Sequence, residues 1–580
     1  MNCREAIFGE NTREFFVQRY RPLEELQSRY GFDCIKPLNS DYAVAYLQSS
    51  RLANFGMGFA NVYSAVPKCY ALTNGGAENA SGAGERDSGP ALEAIGVAQL
   101  RRLPYLDLYG GGVLIGFVDT GIDYKHPVFR KPDGTSRIRA IWDQTVQDGT
   151  PPDGFDYGQE YTQEDITRAL ASENPAALVP ETDDNGHGTF VAGTAAGNLV
   201  REDSFSGVAP QAEIVMVKLK QAKQYLRDIY FIPPGADCYQ ETDLAFGVEY
   251  LVRTAEAANR PLIICMTLGT NSGGHDGAGI LDEILDGYAG RYSSCIIVST
   301  GSEAGYGLHY HSFGAEGEYE EVELRIGERE RGFTMELWAT SLNQYSVSVI
   351  SPTGELINRE MNRRNHSQIM NFLFEDTRIY LDYFMAETRT GNQLIIMRMQ
   401  QPTPGIWRFL VYRDQDFGGD FDIWLPVHAF VQEDTYFLRP NPDITITDPG
   451  NTRRLITASS YRISDRSIYQ YSGRGFTRNG VIKPDISAPG VAVYGPRTGG
   501  GYFLSDGGAG AAALTAGGCA LILEWAIVKG RQPDIRTQEI KRLLRGGAER
   551  AGVVLPSREW GFGRVNFYGV FEELRTVVNS

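Results

Sequence analysis

No stretch of this 580-residue chain approaches 18 uninterrupted apolar residues, so it offers no helix long enough to cross a bilayer. The opening residues, MNCREAIFGENTREFF, carry acidic side chains early and no apolar run, and no secretory signal is expected from them. Seven cysteines are scattered without Cys-x-x-Cys spacing, which argues against a zinc ribbon. Several lie in apolar runs, so the expectation is reduced, buried thiols in a protein made in the cytoplasm rather than a disulfide framework. Basic residues are outnumbered 55 to 72, a formal charge of −17. That balance favours solubility and disfavours nonspecific nucleic-acid binding. Metal-ligand clusters are missing too: His275-Asp276 stands alone, and His309-x-His311 has no further ligands nearby in sequence.

What is present points to several domains. The length suits two to four, and 42% hydrophobic residues suffice for a large core. Residues 1–72 mix helix and strand signals, with helical spacing expected over Arg13 to Tyr30 and short apolar runs at Tyr42–Leu47 and Cys69–Leu72. Thr73 to Pro90, TNGGAENASGAGERDSGP, is rich in Gly, Ala and Ser without periodicity, the composition of a flexible linker. Farther on, alternating apolar positions recur at 321–326, 333–338, 345–350, 380–384, 394–399, 406–412 and 421–425, separated by turn formers such as Pro352-Thr353-Gly354. This rhythm predicts an antiparallel sandwich or jelly roll. Jelly rolls often bind sugars, but Trp338, Trp407 and Trp424 all fall inside strand-like runs, where core packing is the expectation.

Two segments carry chemistry. Val113 to Asp123 read VLIGFVDTGID, an apolar run ending in an aspartate and turn formers. Asp184 to Gly197 read DNGHGTFVAGTAAG, a histidine among small residues at the start of a predicted helix. Taken singly, the first is equally well a strand-ending turn and the second a capped helix start with a surface histidine. Further segments follow in order: GVAPQAEIVMVKL (207–219), LIICMTLGTNSGG (262–274), SGRGFTRNGVIKPDISAPG (472–490) and WGFG (560–563).

In this order and spacing the segments resemble the subtilisin-like serine proteases (subtilases) over roughly residues 95–310 and 450–580. The resemblance implies Asp119 and His187 as the aspartate and histidine of a triad, and Leu268, Gly269 and Thr270 as one wall of a substrate cleft. It also implies a serine where residues 507–517 read GGAGAAALTAG. The serine position falls on Ala509, and the oxyanion asparagine position, in CIIVSTGSEAG (295–305), falls on Ser302. A methyl group can neither attack a carbonyl nor give up a proton, and losing one oxyanion donor costs about 2.7–4 kcal/mol. Ser505 lies four residues upstream and Cys519 inside the following helix, so neither replaces the nucleophile.

The insertion near residue 310 and the stretch Leu268 to Gly277 resemble the Csp proteases of clostridial spore germination, some of which are pseudoproteases. The expected architecture is α/β: a subtilisin-like parallel sheet flanked by helices, an N-terminal α+β prodomain and an inserted antiparallel β-sandwich of jelly-roll type. The expected boundaries are 1–72 for the prodomain, 73–92 for a linker, 93–310 and 451–580 for the subtilase domain, and 311–450 for the insert. The expected function is that of a pseudoprotease acting by binding a partner protease or peptide, cytoplasmic or spore-associated. An uncut chain would keep its own prodomain in the cleft. No cofactor is identified; the resemblance admits a structural calcium ion, without a loop signature that names ligands. The alternative is a serine endopeptidase of this family whose serine was removed by engineering. Gly508, Gly510 and Ser302 weigh against it, because inactivation needs none of them.

Overall fold

The computed structural model describes residues 3–52, 63–73, 86–314, 317–340, 342–360, 366–415, 419–550 and 552–578. Most of the segment expected to be a linker lies outside the described residues.

Eight strands form the central sheet, in the order Ile486–Val491, Ile456–Arg462, Ser294–Ser299, Leu262–Met266, Leu114–Asp119, Glu213–Lys218, Ile138–Asp143 and Gln159–Thr162. All neighbours are parallel except the last pair. Strands covered by helices on both faces must be apolar throughout, and Leu114–Asp119, LIGFVD, is buried at every position. The helices His187–Ala196 and Gly508–Leu523 are likewise buried along their whole length. They cross closely because Gly517 has no side chain: a Cβ there would lie 2.6 Å from the Ala195 carbonyl oxygen. The expectation of no helix long enough to cross a bilayer is corrected here: Gly508–Val528 is long and apolar enough, yet it is largely buried in this core.

Lys483, in the Lys-Pro-Asp segment, is fully buried with its Nζ 2.9 Å from Asp485 Oδ2. Lys541 Nζ lies 2.8 Å from Asp485 Oδ1, and the Arg545 guanidinium donates to the same oxygen. One carboxylate thus ties an edge strand of the sheet to the helix Thr537–Gly547.

Before the sheet, the strands Thr12–Gln18, Tyr42–Gln48 and Cys34–Pro37 pair antiparallel, with Tyr42–Gln48 in the middle and the helix Leu23–Tyr30 packed on one side. The helical spacing expected over Arg13–Tyr30 is therefore corrected. TREFFVQ forms a strand because a partner strand completes its hydrogen bonds, and the helix begins only after Pro22, whose ring suits a helix start. A second correction concerns cysteine: Cys3 and Cys34 are joined in a disulfide, while the other five are free and buried. The pairing joins a helix to a strand 31 residues later, a proximity that sequence spacing does not reveal. This N-terminal unit packs on the core through the buried pair Glu14–Lys223, 2.9 Å apart, and through a bond from Gln240 Nε2 to Glu14 of 2.8 Å.

The insert consists of two antiparallel sheets. One has six strands, from His309–His311 at one edge to His366–Asn371 at the other; the second has five, centred on Gly405–Gln415. Each of the seven alternating runs singled out in the sequence is a strand. Val322, Leu337, Val347, Met397 and Trp407 meet in their shared core. Trp338 and Trp424 pack in a smaller cluster with Phe384, Leu394 and Ile396. All three tryptophans are buried, so none presents a ring to a sugar.

Candidate functional site

Asp119 ends the strand Leu114–Asp119, where the sheet delivers its side chain toward the start of the helix His187–Ala196. His187 Nδ1 lies 2.7 Å from Asp119 Oδ1, with both groups buried. That approach depends on Gly188, where a Cβ would fall 2.1 Å from the Gly121 carbonyl oxygen. The carboxylate is fixed from two more directions: the Thr120 amide donates to Oδ1 at 2.8 Å, and Thr267 Oγ1 to Oδ2 at 2.9 Å. Behind the pair, Asp183 accepts from Thr120 Oγ1 and the Gly186 amide on one oxygen, and from the Thr189 amide and hydroxyl on the other. It serves the first turn of the histidine helix as a cap. Burial nonetheless raises its pKa, against the pull of these donors.

Burial disfavours the imidazolium of His187, but the adjoining Asp119, by charge and hydrogen bond, more than compensates, and its pKa stands above the ordinary value. Its Nε2 is buried and, among the described residues, has no hydrogen-bond partner. Ala509, the position where the resemblance places the nucleophile, is the second residue of the helix Gly508–Leu523, a buried methyl with no polar function.

Ser302 follows the strand Ser294–Ser299 and is fully buried. Its Oγ donates to the carbonyl oxygen of Thr73 at 3.1 Å, and the Gly508 amide donates to the same oxygen at 2.9 Å. Thr73 directly follows the strand Cys69–Leu72, which lies between two others as an antiparallel ribbon. On one side Leu72 is opposite Leu268 and Ala71 opposite Gly269; on the other Tyr70 is opposite Tyr239 and Cys69 opposite Gln240. The Thr73 amide completes the ladder by donating to the Thr267 carbonyl oxygen at 2.9 Å.

Of the residues singled out from sequence, Asp119 and His187 are in direct contact, and Ser302 joins Leu268 and Gly269 around residues Cys69 to Thr73. Thr270 does not join them; its amide bonds to the Asp448 carbonyl oxygen instead. In the sequence Thr73 stands only as the start of a linker and Gly508 only as a departure from the family motif, and no role falls to Thr267. The apolar run ending at Leu72 was the one signal, and it says nothing of where that strand docks. His275 stacks on Trp424 at 4.2 Å, Asp276 pairs with Arg478, and His309 and His311 both contact Asp422. Among the described residues no group of three or more His, Cys, Asp or Glu side chains is arranged to hold a metal ion.

An aspartate–histidine pair at the end of a parallel strand, beside two small-residue helix starts, is the frame of a subtilase. The subtilase family (Peptidase_S8) matches residues 110–322 and 437–563. The chain belongs to this family. The match breaks off across the two-sheet insert. The solved structure of the Clostridium perfringens CspB protease superimposes with a TM-score of 0.75 and 29% identity, covering 84% of this chain and 98% of that one. Relatives of the chain include the C5a peptidase of Streptococcus pyogenes, 23% identical over 443 residues. The serine protease AprX of Bacillus subtilis is 31% identical over 126 residues, 18% of this chain and 27% of AprX. The match spans 70% of this chain but only 34% of the C5a peptidase. With a fold common to subtilases and a bonded Asp119–His187 pair, this subtilase is protease-like in build.

Proposed function

We propose that this subtilase is a pseudoprotease that acts by binding, and that its own residues Cys69–Thr73 occupy the substrate groove as an uncut peptide. The observation that carries the reading is the environment of one peptide bond. The Thr73 carbonyl oxygen takes two hydrogen bonds, from Ser302 and Gly508, as a carbonyl awaiting attack would. The residue that should supply the nucleophile is Ala509, and His187 Nε2 has no hydroxyl to deprotonate. Triad chemistry needs that hydroxyl both as attacking group and as proton source. An aspartate–histidine pair without it holds a proton and transfers none to a substrate.

In this reading residues 1–73 are a retained prodomain, and the protein signals by presenting or exchanging what fills its groove, with a partner protease or peptide as the other party. Spore germination as the setting and a cytoplasmic or spore-associated location are drawn from the resemblance to the Csp germination proteases, with which the likeness to the CspB protease agrees. The competing reading, an endopeptidase deprived of its serine by engineering, makes Ala509 the sole defect. Ser302 in the oxyanion position disfavours it.

Intact-mass analysis of the purified protein beside an Ala509→Ser variant tests the proposal. The expected result is a full-length mass for the first and a cut between Thr73 and Asn74 for the second. Self-cleavage of the unaltered protein, with contaminating proteases excluded, would overturn it.

A further inference from the structure

Thr73 is enclosed as fully by its side chain as by its backbone, with 3% of its surface exposed. Its Oγ1 donates to the Thr267 carbonyl oxygen at 2.9 Å and accepts from Ser299 Oγ at 2.8 Å. The enclosing wall is equally specific. Thr447 is buried, and its side chain stands where side chains on two wall glycines would go: a Cβ on Gly269 would lie 2.3 Å from Thr447 Oγ1, and one on Gly301 2.6 Å from it. The glycines make room for Thr447, not for a larger occupant. The Thr73 methyl in turn faces Gly269, 3.3 Å from the position of such a Cβ. Ser299 closes the remaining side; a Cβ on Gly508 would lie 2.8 Å from Ser299 Cβ.

The enclosure therefore presents one donor, the Ser299 hydroxyl, and one acceptor, the Thr267 carbonyl oxygen, to the Thr73 hydroxyl, while Thr447 Oγ1 and the Thr73 methyl both border the position of a Gly269 Cβ. A valine of the same shape would leave the Ser299 hydroxyl facing a methyl in a buried site, where an unsatisfied polar group is costly. Sites that hydrogen-bond a hydroxyl discriminate strongly against the analogue lacking it, whereas purely apolar pockets discriminate weakly. Thr447, which borders the same Gly269 position as the Thr73 methyl, is the side chain that a longer residue at 73 is expected to meet.

We infer that Ser299 and Thr447 determine the specificity of the groove, and that it takes peptides with threonine or serine at the position where Thr73 sits. The inference rests on the reading that the groove is a peptide site, and it names the class of peptide.

Hydrogen exchange followed by mass spectrometry on the full-length protein tests it. Protection of segment 69–73 is read against the strand Leu114–Asp119 as an internal check on folding. Thr73→Ser should keep the segment protected, whereas Thr73→Val and Thr73→Leu should speed its exchange by about tenfold or more. Ser299→Ala should narrow the gap between threonine and valine. Thr447→Ala should restore protection to Thr73→Leu, a rescue that a merely structural role for Thr447 would not produce. Equal protection of threonine, valine and leucine at 73 would overturn the inference, as would failure of that rescue. If the unaltered segment exchanges as fast as a free peptide, the occupied-groove reading falls and the inference with it. Protection that is present but indifferent to residue 73 sinks the specificity alone.

Discussion

The Gly508 amide lies 2.9 Å from the carbonyl oxygen of Thr73, a residue 435 positions earlier in the chain. With Ser302 Oγ at 3.1 Å, it gives this carbonyl two donors, of which one sits on a short, rotatable side chain. Replacing Ser302 by asparagine in an Ala509→Ser background should therefore speed cleavage after Thr73. One oxyanion donor is worth about 2.7–4 kcal/mol, or roughly 10²–10³ in rate. Timed mass spectra of the single and double variants measure the ratio; equal rates would show that Ser302 already performs the asparagine's part.

His187 should titrate above the ordinary histidine value, because Asp119 outweighs the effect of burial. A pKa raised on folding stabilises the protein fully below the unfolded value of about 6.5, and the contribution is lost as pH rises through the folded value. In Asp119→Asn the burial remains and the charge is gone, so the imidazole pKa should fall below its ordinary value. NMR titration of the ring protons reads both; an unchanged pKa in the variant would refute this account of the pair.

Asp485 faces Lys483, Lys541 and Arg545, and these cations hold its carboxyl well below the usual range despite the cost of burial. Asp485→Asn leaves the buried Lys483 ammonium without its counter-charge and should destabilise the fold by roughly 3–5 kcal/mol. For the unaltered protein, the stabilisation is present above an unfolded value of about 3.9 and is lost as pH falls through the folded one. Denaturant unfolding at pH 7 and below pH 4 checks both; the deficit of the variant should shrink at the lower pH.

Thiol counting checks the N-terminal unit. Unfolded without reductant, the chain should present five reactive thiols, the seven cysteines less the Cys3–Cys34 pair. Removing the bridge by Cys34→Ser should cost about 2–4 kcal/mol. A count of seven would mean that the two sulfurs remain reduced in the purified protein.

The parts legible in the sequence were those written in contiguous residues. Asp119 closes an apolar strand and His187 opens a small-residue helix, so each motif carried its own local structure, and family order supplied the rest. The alternating strands of the insert were legible because the side-chain period of two survives in any sandwich. Residues 13–18 were misread because a strand's identity there is decided by Tyr42–Gln48 across the sheet rather than by local spacing. Thr73 reads in the sequence as the first residue of a linker for the same reason: its partners Thr267, Ser299, Ser302 and Gly508 come from three distant segments, and nothing in the surrounding TNGG announces them.

In the proposed reading, the strand Cys69–Leu72 that fills the groove is covalently part of the molecule that holds it. A tethered ligand of this kind acts at an effective concentration on the order of millimolar. A free competitor present at about 1 μM must then bind some thousandfold more tightly than the tail's intrinsic affinity to fill half the grooves. Modest contacts at Thr73 thus suffice to keep the groove occupied. A single cut in the connecting segment would remove that advantage without altering one contact, leaving an occupant governed by its own dissociation constant.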